Sequence, residues 1–193
     1  MKRFAKFMVL LVAVTVLLSV VGCMGPDTIR IGSMDDLKGK VIGVQSGTTG
    51  DILASEASLQ AGKVERFNQY VDVISALKQR KVDCVIMDVD TANAFLKDNA
   101  DLVTLDVGFE PEQYAVAVKK GDSDLQTVIN SVITAMKADG SLDASFADHA
   151  DQNGSAPDFN TGAAGGKFFV GTEAGFPPYE YMSGSQVIGV DID

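Results

Sequence analysis

The sequence predicts an α/β fold with a mainly parallel sheet flanked by helices. Short strand-like runs at 41–45, 64–67 and 84–87 alternate with stretches whose apolar residues recur at helical spacing. Turn residues separate them, notably Gly39, the cluster Ser46-Gly47-Thr48-Thr49-Gly50, and Gly62. Strand, helix, strand in repetition is the pattern of a sheet with crossover helices.

In order, Asp35-Asp36-Leu37-Lys38-Gly39-Lys40 reads as a short helical turn stopped by glycine, and 41–45 as a buried strand. A helix is predicted over 51–60, a strand over 64–67, and a helix over 71–79 with Val73, Ile74 and Leu77 on one side. Residues 84–87 form the next buried strand, and 91–97 the next helix, with Ala92, Phe95 and Leu96 as packing candidates. Residues 102–105 and 114–118 read as strands. The clearest helix covers 123–138, with Leu125, Val128, Ile129, Val132, Ile133 and Met136 at helical spacing, Asp124 in its first turn and Gly140 beyond its end. A shorter helix follows over 142–148. Residues 151–166 have no apolar period and read as a flexible linker. A strand is expected at 168–171, then 180–182 and 186–188 flanking a Ser183-Gly184-Ser185 hairpin loop.

The N-terminus carries Lys2, Arg3 and Lys6, then fifteen uncharged residues over 7–21. That run is short for a membrane span and right for a signal-peptide core. The ending Val20-Val21-Gly22-Cys23 resembles a bacterial lipobox, in which cleavage precedes a cysteine that is lipidated; an uncleaved anchor or a plain secretory signal are the alternatives. Removing residues 1–22 takes three cations away and moves the net charge from −10 to −13. Such an acidic chain argues against a nucleic-acid partner, and membrane attachment falls to the lipid. With Cys23 lipidated, Cys84 of the two cysteines stands alone and reads as a packed apolar side chain. The single histidine, His149, has no evident partner, so metal or Cys/His chemistry has little to work with. No cofactor is expected.

Asp36-Leu37-Lys38-Gly39-Lys40-Val41-Ile42-Gly43-Val44-Gln45-Ser46-Gly47-Thr48-Thr49-Gly50 resembles the second lobe of the polar amino-acid solute-binding proteins, the extracellular family 3 receptors of ABC importers. Lys81-Val82-Asp83-Cys84-Val85-Ile86-Met87-Asp88 resembles that family's strand ending in an acidic ligand contact. Glu112-Gln113-Tyr114-Ala115-Val116-Ala117-Val118-Lys119-Lys120-Gly121 resembles its return strand. Gly171-Thr172-Glu173-Ala174-Gly175-Phe176-Pro177-Pro178-Tyr179-Glu180 and Gly189-Val190-Asp191-Ile192-Asp193 resemble the start of the first lobe, which in the family comes first. The resemblance implies a periplasmic-binding-protein-like (type II) fold. It divides the chain into a lipoprotein signal at 1–22, a second lobe at 23–150, the linker at 151–166 and a first-lobe fragment at 167–193. A truncated circular permutation, a tandem remnant and an engineered dissection all fit that order.

A free amino acid needs donors for its carboxylate and acceptors for its ammonium. The turn at Gly47, Thr48 and Thr49 precedes a helix N-terminus, where free amides and hydroxyls suit a carboxylate; such residues also cap helices routinely. The resemblance implies carboxylate contacts there. Asp88, at the carboxyl end of a strand, is implied as the acceptor for the ammonium. Glu173 stands where many relatives have Asp, and the resemblance gives it a polar ligand group and Phe176 the ligand side chain; core packing is the alternative for Phe176. The implied function is an extracytoplasmic, lipid-anchored amino-acid receptor that docks on an importer permease. An inactive or sensory fragment is the competitor. A dehydratase on the same fold lacks a positioned acid or base, so no enzyme is expected.

Overall fold

A computed structural model of the chain describes residues 29–110, 112–157 and 169–193. The signal segment, Cys23 and most of the expected linker lie outside the described residues. The unit Ile31–Asp193 holds all the elements that follow.

A 3-10 turn at Met34–Leu37 leads into strand β1, Val41–Gln45. Helix α1 (Thr49–Ser55), strand β2 (Lys63–Phe67), helix α2 (Tyr70–Lys78), strand β3 (Cys84–Val85) and helix α3 (Val89–Asp98) follow. The sheet is parallel throughout, in the order β2-β1-β3. The central strand is therefore covered on both faces. Ile42 and Val44, both fully buried, pack with Ala54, Leu59 and Ile86. Each contributes about 1.5–3 kcal/mol through burial. Alternation turns Gly43 the other way, where a Cβ would lie 2.9 Å from Val73 of α2. Asp83 locks the sheet edge by accepting from the Val41 amide at 2.8 Å. Burial pushes the Cys84 thiol up to about 11, as befits a packing residue.

The first half thus matches the sequence expectation, with α1 shorter and β3 reduced to two residues. The runs at 102–105 and 114–118 carry no strand. A strand exists only as one partner of a ladder, and neither run has one among the described residues. Val103 is 77% exposed and Val116 60%.

Helix α4 covers Ser123–Asp139 and α5 covers Ser141–His149. The Asp122 side chain caps α4 by accepting from the Leu125 amide, and Gly140 ends it at φ +81°. The periodic face of α4 holds no buried residue, because α4 packs beside α5 and under no sheet layer. The last section is an antiparallel sheet, β4 (Gly175–Phe176), β5 (Glu180–Ser183) and β6 (Gln186–Ile188), in the order β4-β5-β6. The expected hairpin is present, with Gly184-Ser185 as its loop. The expected strand at 168–171 is not: its described residues are irregular.

Helix α5 carries the most specific tie to this hairpin. His149 is 1% exposed. Its Nδ1 lies 2.9 Å from the Tyr181 hydroxyl and its Nε2 3.1 Å from Asp193 Oδ2. Ser145 donates to the same Asp193 oxygen at 2.5 Å. The histidine without an evident partner in sequence thus has two, both supplied by the hairpin segment. The expected second lobe at 23–150 accordingly ends in a helix that gives its buried polar side chains to residues 175–193.

Gly50 tests the packing of α1. A Cβ there would meet the Ile86 carbonyl oxygen at 2.7 Å. Helix propensity alone makes Gly50→Ala stabilising by about 0.5–1 kcal/mol. Backbone-to-backbone contact makes it destabilising by about 1–3 kcal/mol. The expected outcome is the loss, read as a lower urea midpoint by circular dichroism.

Candidate functional site

The carboxyl ends of the parallel strands open onto a cleft of about 1310 Å³. That exceeds the ~300–1,000 Å³ typical of a pocket closed around a small ligand, so the cleft is open. Strand β1 delivers the turn Gly47, Thr48 and Thr49 to one wall, and Asp88 follows β3 on the same wall. Phe176, from β4, and Tyr179 line it from the hairpin segment.

Five of the six ligand residues expected from sequence therefore line one cleft. The sixth, Glu173, sits beside it and accepts from the Gln45 side-chain amide at 3.1 Å. That bond links the hairpin segment to the end of β1. Gln45, 5% exposed, also donates to the Asn68 carbonyl at 2.9 Å.

Several expected ligand contacts are engaged within the protein. The Gly47 amide donates to Asp51 at 3.0 Å. The Thr48 hydroxyl donates to the Gln45 carbonyl and accepts from the Asp51 amide, which is a helix cap. The Thr49 hydroxyl donates to Glu112. Asp88 Oδ1 caps α3, accepting from Asp90 and Thr91 at 2.8 and 3.3 Å. Its second oxygen takes no part in that cap.

Three tyrosines absent from the sequence expectation complete the site. Tyr70, at the start of α2, is 1% exposed and stacks at 5.6 Å from Phe176. Tyr114 lies 4.4 Å from Tyr179 and 6.3 Å from Phe176. Tyr179 donates to Asp90 at 2.9 Å. Burial pushes the Tyr70 hydroxyl up to about 12. Tyr114 and Tyr179 rise for the same reason, reinforced by Asp88 and Asp90 respectively. The chain has four tyrosines; three line the cleft and the fourth binds His149. That clustering is the compositional signal for the residues missed.

Glu180, on β5, and Asp191 also line the cleft. Burial, then the neighbouring Asp191 charge, raises the Glu180 carboxyl to about 7. No group of metal-ligating side chains occurs among the described residues.

Comparison with known proteins fits this geometry. No family model matches the chain. The arginine-binding extracellular protein ArtP of Bacillus subtilis is 33% identical over 117 residues, 58% of this chain and 46% of that protein. The L-arginine-binding protein of Pseudomonas aeruginosa is 36% identical over 114 residues, 54% of this chain and 44% of that one. The glutamine-binding protein GlnH of B. subtilis is 30% identical over 115 residues, 59% of this chain and 42% of its own length. Among solved structures, a mutant of the T. maritima arginine-binding protein ArgBP superposes with a TM-score of 0.55 at 41% identity, covering 63% of this chain and 52% of its own. An ancestral arginine-binding protein bound to arginine gives 0.55 at 34% identity, covering 63% and 54%. The chain spans about half the length of the relatives it matches. The fold is that of the periplasmic binding proteins, an α/β type with a parallel sheet flanked by helices. By homology the chain is a relative of the amino-acid-binding solute-binding proteins of ABC transporters, with ArgBP-type structures as neighbours. These homologues are binding proteins rather than enzymes.

The Glu180 environment gives a pH prediction. Its carboxyl ionises near pH 7 in the folded chain, against an ordinary value of 4.5. Between those values the folded state holds the extra proton, so this group's contribution falls as pH rises. Glu180→Gln is expected to be more stable than the unchanged chain at pH 8, with the difference gone near pH 4. Urea midpoints across that range read it out, and parallel pH profiles would count against the assignment.

Proposed function

We propose that this chain is the binding part of an extracytoplasmic amino-acid receptor that hands its ligand to an ABC importer. The observation that carries the reading is the cleft at the carboxyl ends of the parallel strands, lined by hydroxyl and amide donors at Gly47–Thr49, a carboxylate at Asp88 and a ring at Phe176. Ligands of open α/β sheets bind at that end. The relatives named above are named for arginine and glutamine, which have the amino-acid head group in common. In this reading the ligand carboxylate displaces Glu112 or Asp51 from the Gly47–Thr49 turn, and the ammonium meets the second oxygen of Asp88. Phe176 covers the ligand side chain, and Glu173 turns from Gln45 toward a polar ligand group.

Lipidation of Cys23 after removal of 1–22 anchors the receptor at the membrane face, and the importer permease is the partner. Residues 167–193 act as the opening piece of the first lobe, placed after the second in a permuted or tandem order. Their ties to Gln45, Asp90 and His149 support that role. The engagement of Gly47, Thr48 and Thr49 inside the protein favours a second reading, an inactive or sensory fragment.

Titration calorimetry of the full chain in mild detergent, against the common L-amino acids, separates the two. The receptor reading expects binding by at least one polar amino acid, and the fragment reading expects none. Asp88→Asn keeps a cap-forming side chain and removes the charge. Losing a charge-assisted bond costs about 1–2 kcal/mol. Binding should therefore weaken about tenfold with little change in melting temperature. Unchanged affinity would remove Asp88 from the site.

A further inference from the structure

Residues 189–193 form a strap that ties the hairpin to α5. Gly189, at φ +137°, lets the chain cross the backbone at Tyr179: a Cβ there would lie 2.1 Å from the Tyr179 carbonyl oxygen. The Val190 amide then donates to the Pro178 carbonyl at 3.3 Å and the Asp191 amide to the Tyr179 carbonyl at 2.9 Å. The Asp193 amide closes the strap on the Gly189 carbonyl at 3.2 Å. On α5, the Asp193 carboxylate meets His149 Nε2 at 3.1 Å and accepts from Ser145 at 2.5 Å. Two of the three side-chain bonds between α5 and the hairpin segment therefore depend on where the strap lies.

The middle of the strap sets one carboxyl against another. Glu180, the first residue of β5, is 9% exposed, and its Oε2 is buried with no hydrogen-bond partner. Asp191, on the surface of the strap, stands beside it within hydrogen-bonding reach. Two ionised carboxylates have no hydrogen to share, so the pair bonds only with a proton between them. The Thr172 hydroxyl and the Glu173 amide are donors beside Glu180, and neither reaches Oε2. The other charged groups of the surroundings have the same sign: Asp193 on the strap, Glu173 before β4, and Asp88 and Glu112 in the cleft lining. The adjacent Tyr179 and Tyr181 hydroxyls are engaged with Asp90 and His149. His149 itself meets Asp193, and no lysine, arginine or histidine lines the cleft among the described residues.

We propose that Glu180 and Asp191 form a proton-operated latch: one proton between the two carboxyls holds the strap on the hairpin, and its loss frees the strap while the α/β unit stays folded. Burial, then the Asp191 charge, sets the Glu180 carboxyl near pH 7 in the closed strap, against an ordinary 4.5. Asp191 is raised as well, by burial. The closed form therefore keeps a proton that the open form has lost. The latch is at full strength below about pH 4.5 and is spent above about pH 7. Release of the strap takes Asp193 from His149 and Ser145. The hairpin that carries Phe176 and Tyr179 to the cleft then keeps only the Tyr181 bond to α5.

Amide hydrogen exchange of the full chain, followed residue by residue by NMR between pH 5 and 8, tests the latch. Rates are converted to protection factors, which removes the intrinsic pH dependence of exchange. Protection of the Asp191 and Asp193 amides should fall about tenfold per pH unit up to about pH 7 and level off above it. In Glu180→Gln the side-chain amide replaces the shared proton, and protection should change threefold or less over the whole range. Asp191→Asn should flatten the profile in the same way and serves if the first variant fails to fold. Low urea separates strap release from global unfolding, because a small opening exposes little surface. The strap amides should keep their protection there while that of the β1 amides falls. A flat profile in the unchanged chain, an unchanged slope in both variants, or strap amides that follow β1 in urea overturns the latch.

Discussion

Four rings join the C-terminal hairpin to the α/β unit, and all four line the cleft. Tyr70 and Tyr114 come from the α/β side, Phe176 and Tyr179 from the hairpin side. Aromatic pairs add about 0.5–1.5 kcal/mol each beyond the area they bury. Tyr70, almost fully buried at the start of α2, is the fixed point. Directional bonds then set the hairpin's orientation: Gln45 to Glu173, Tyr179 to Asp90, and His149 to Tyr181 and Asp193. The hairpin is small, and two or three strands without a covering layer are marginal in water. Its order therefore depends on this seam and on α5.

The polar residues expected at the ligand site also hold the structure. Asp88 caps α3 and Thr48 caps α1, so the turns at the ends of β1 and β3 are held in shape without a ligand. The cap uses one oxygen of Asp88. Burial, and after it the neighbouring carboxylates, raises the tyrosine hydroxyls and Glu180 in the cleft.

The local signals in the sequence translated well where burial is set by near neighbours. Strand β1 is legible because Ile42 and Val44 lie in a continuous apolar run closed by Gly47. Helix α4 is legible from its spacing and from Gly140, although its periodic face finds no layer to cover it. The turn at 47–49, Asp88 and Phe176 are legible as site candidates through the family resemblance, and the cleft brings them together. Long-range partners were beyond reach. His149 and Asp193 are 44 residues apart, and Gln45 and Glu173 are 128 apart. The runs at 102–105 and 114–118 have strand-like composition and no strand, because composition cannot supply a neighbour. Tyr114 and Tyr179 lie in the resembling segments without a ligand role, Tyr70 lies in none, and their convergence in space is what marks them.

Nuclear Overhauser contacts between the Tyr70 and Phe176 rings in the full chain test the central claim, that the hairpin docks on the α/β unit through an aromatic seam. Their centroids lie 5.6 Å apart, so cross-peaks between their ring protons are predicted. Sharp, independent ring signals with no cross-peak would mean that the hairpin is not seated there, and the cleft would lose its second wall.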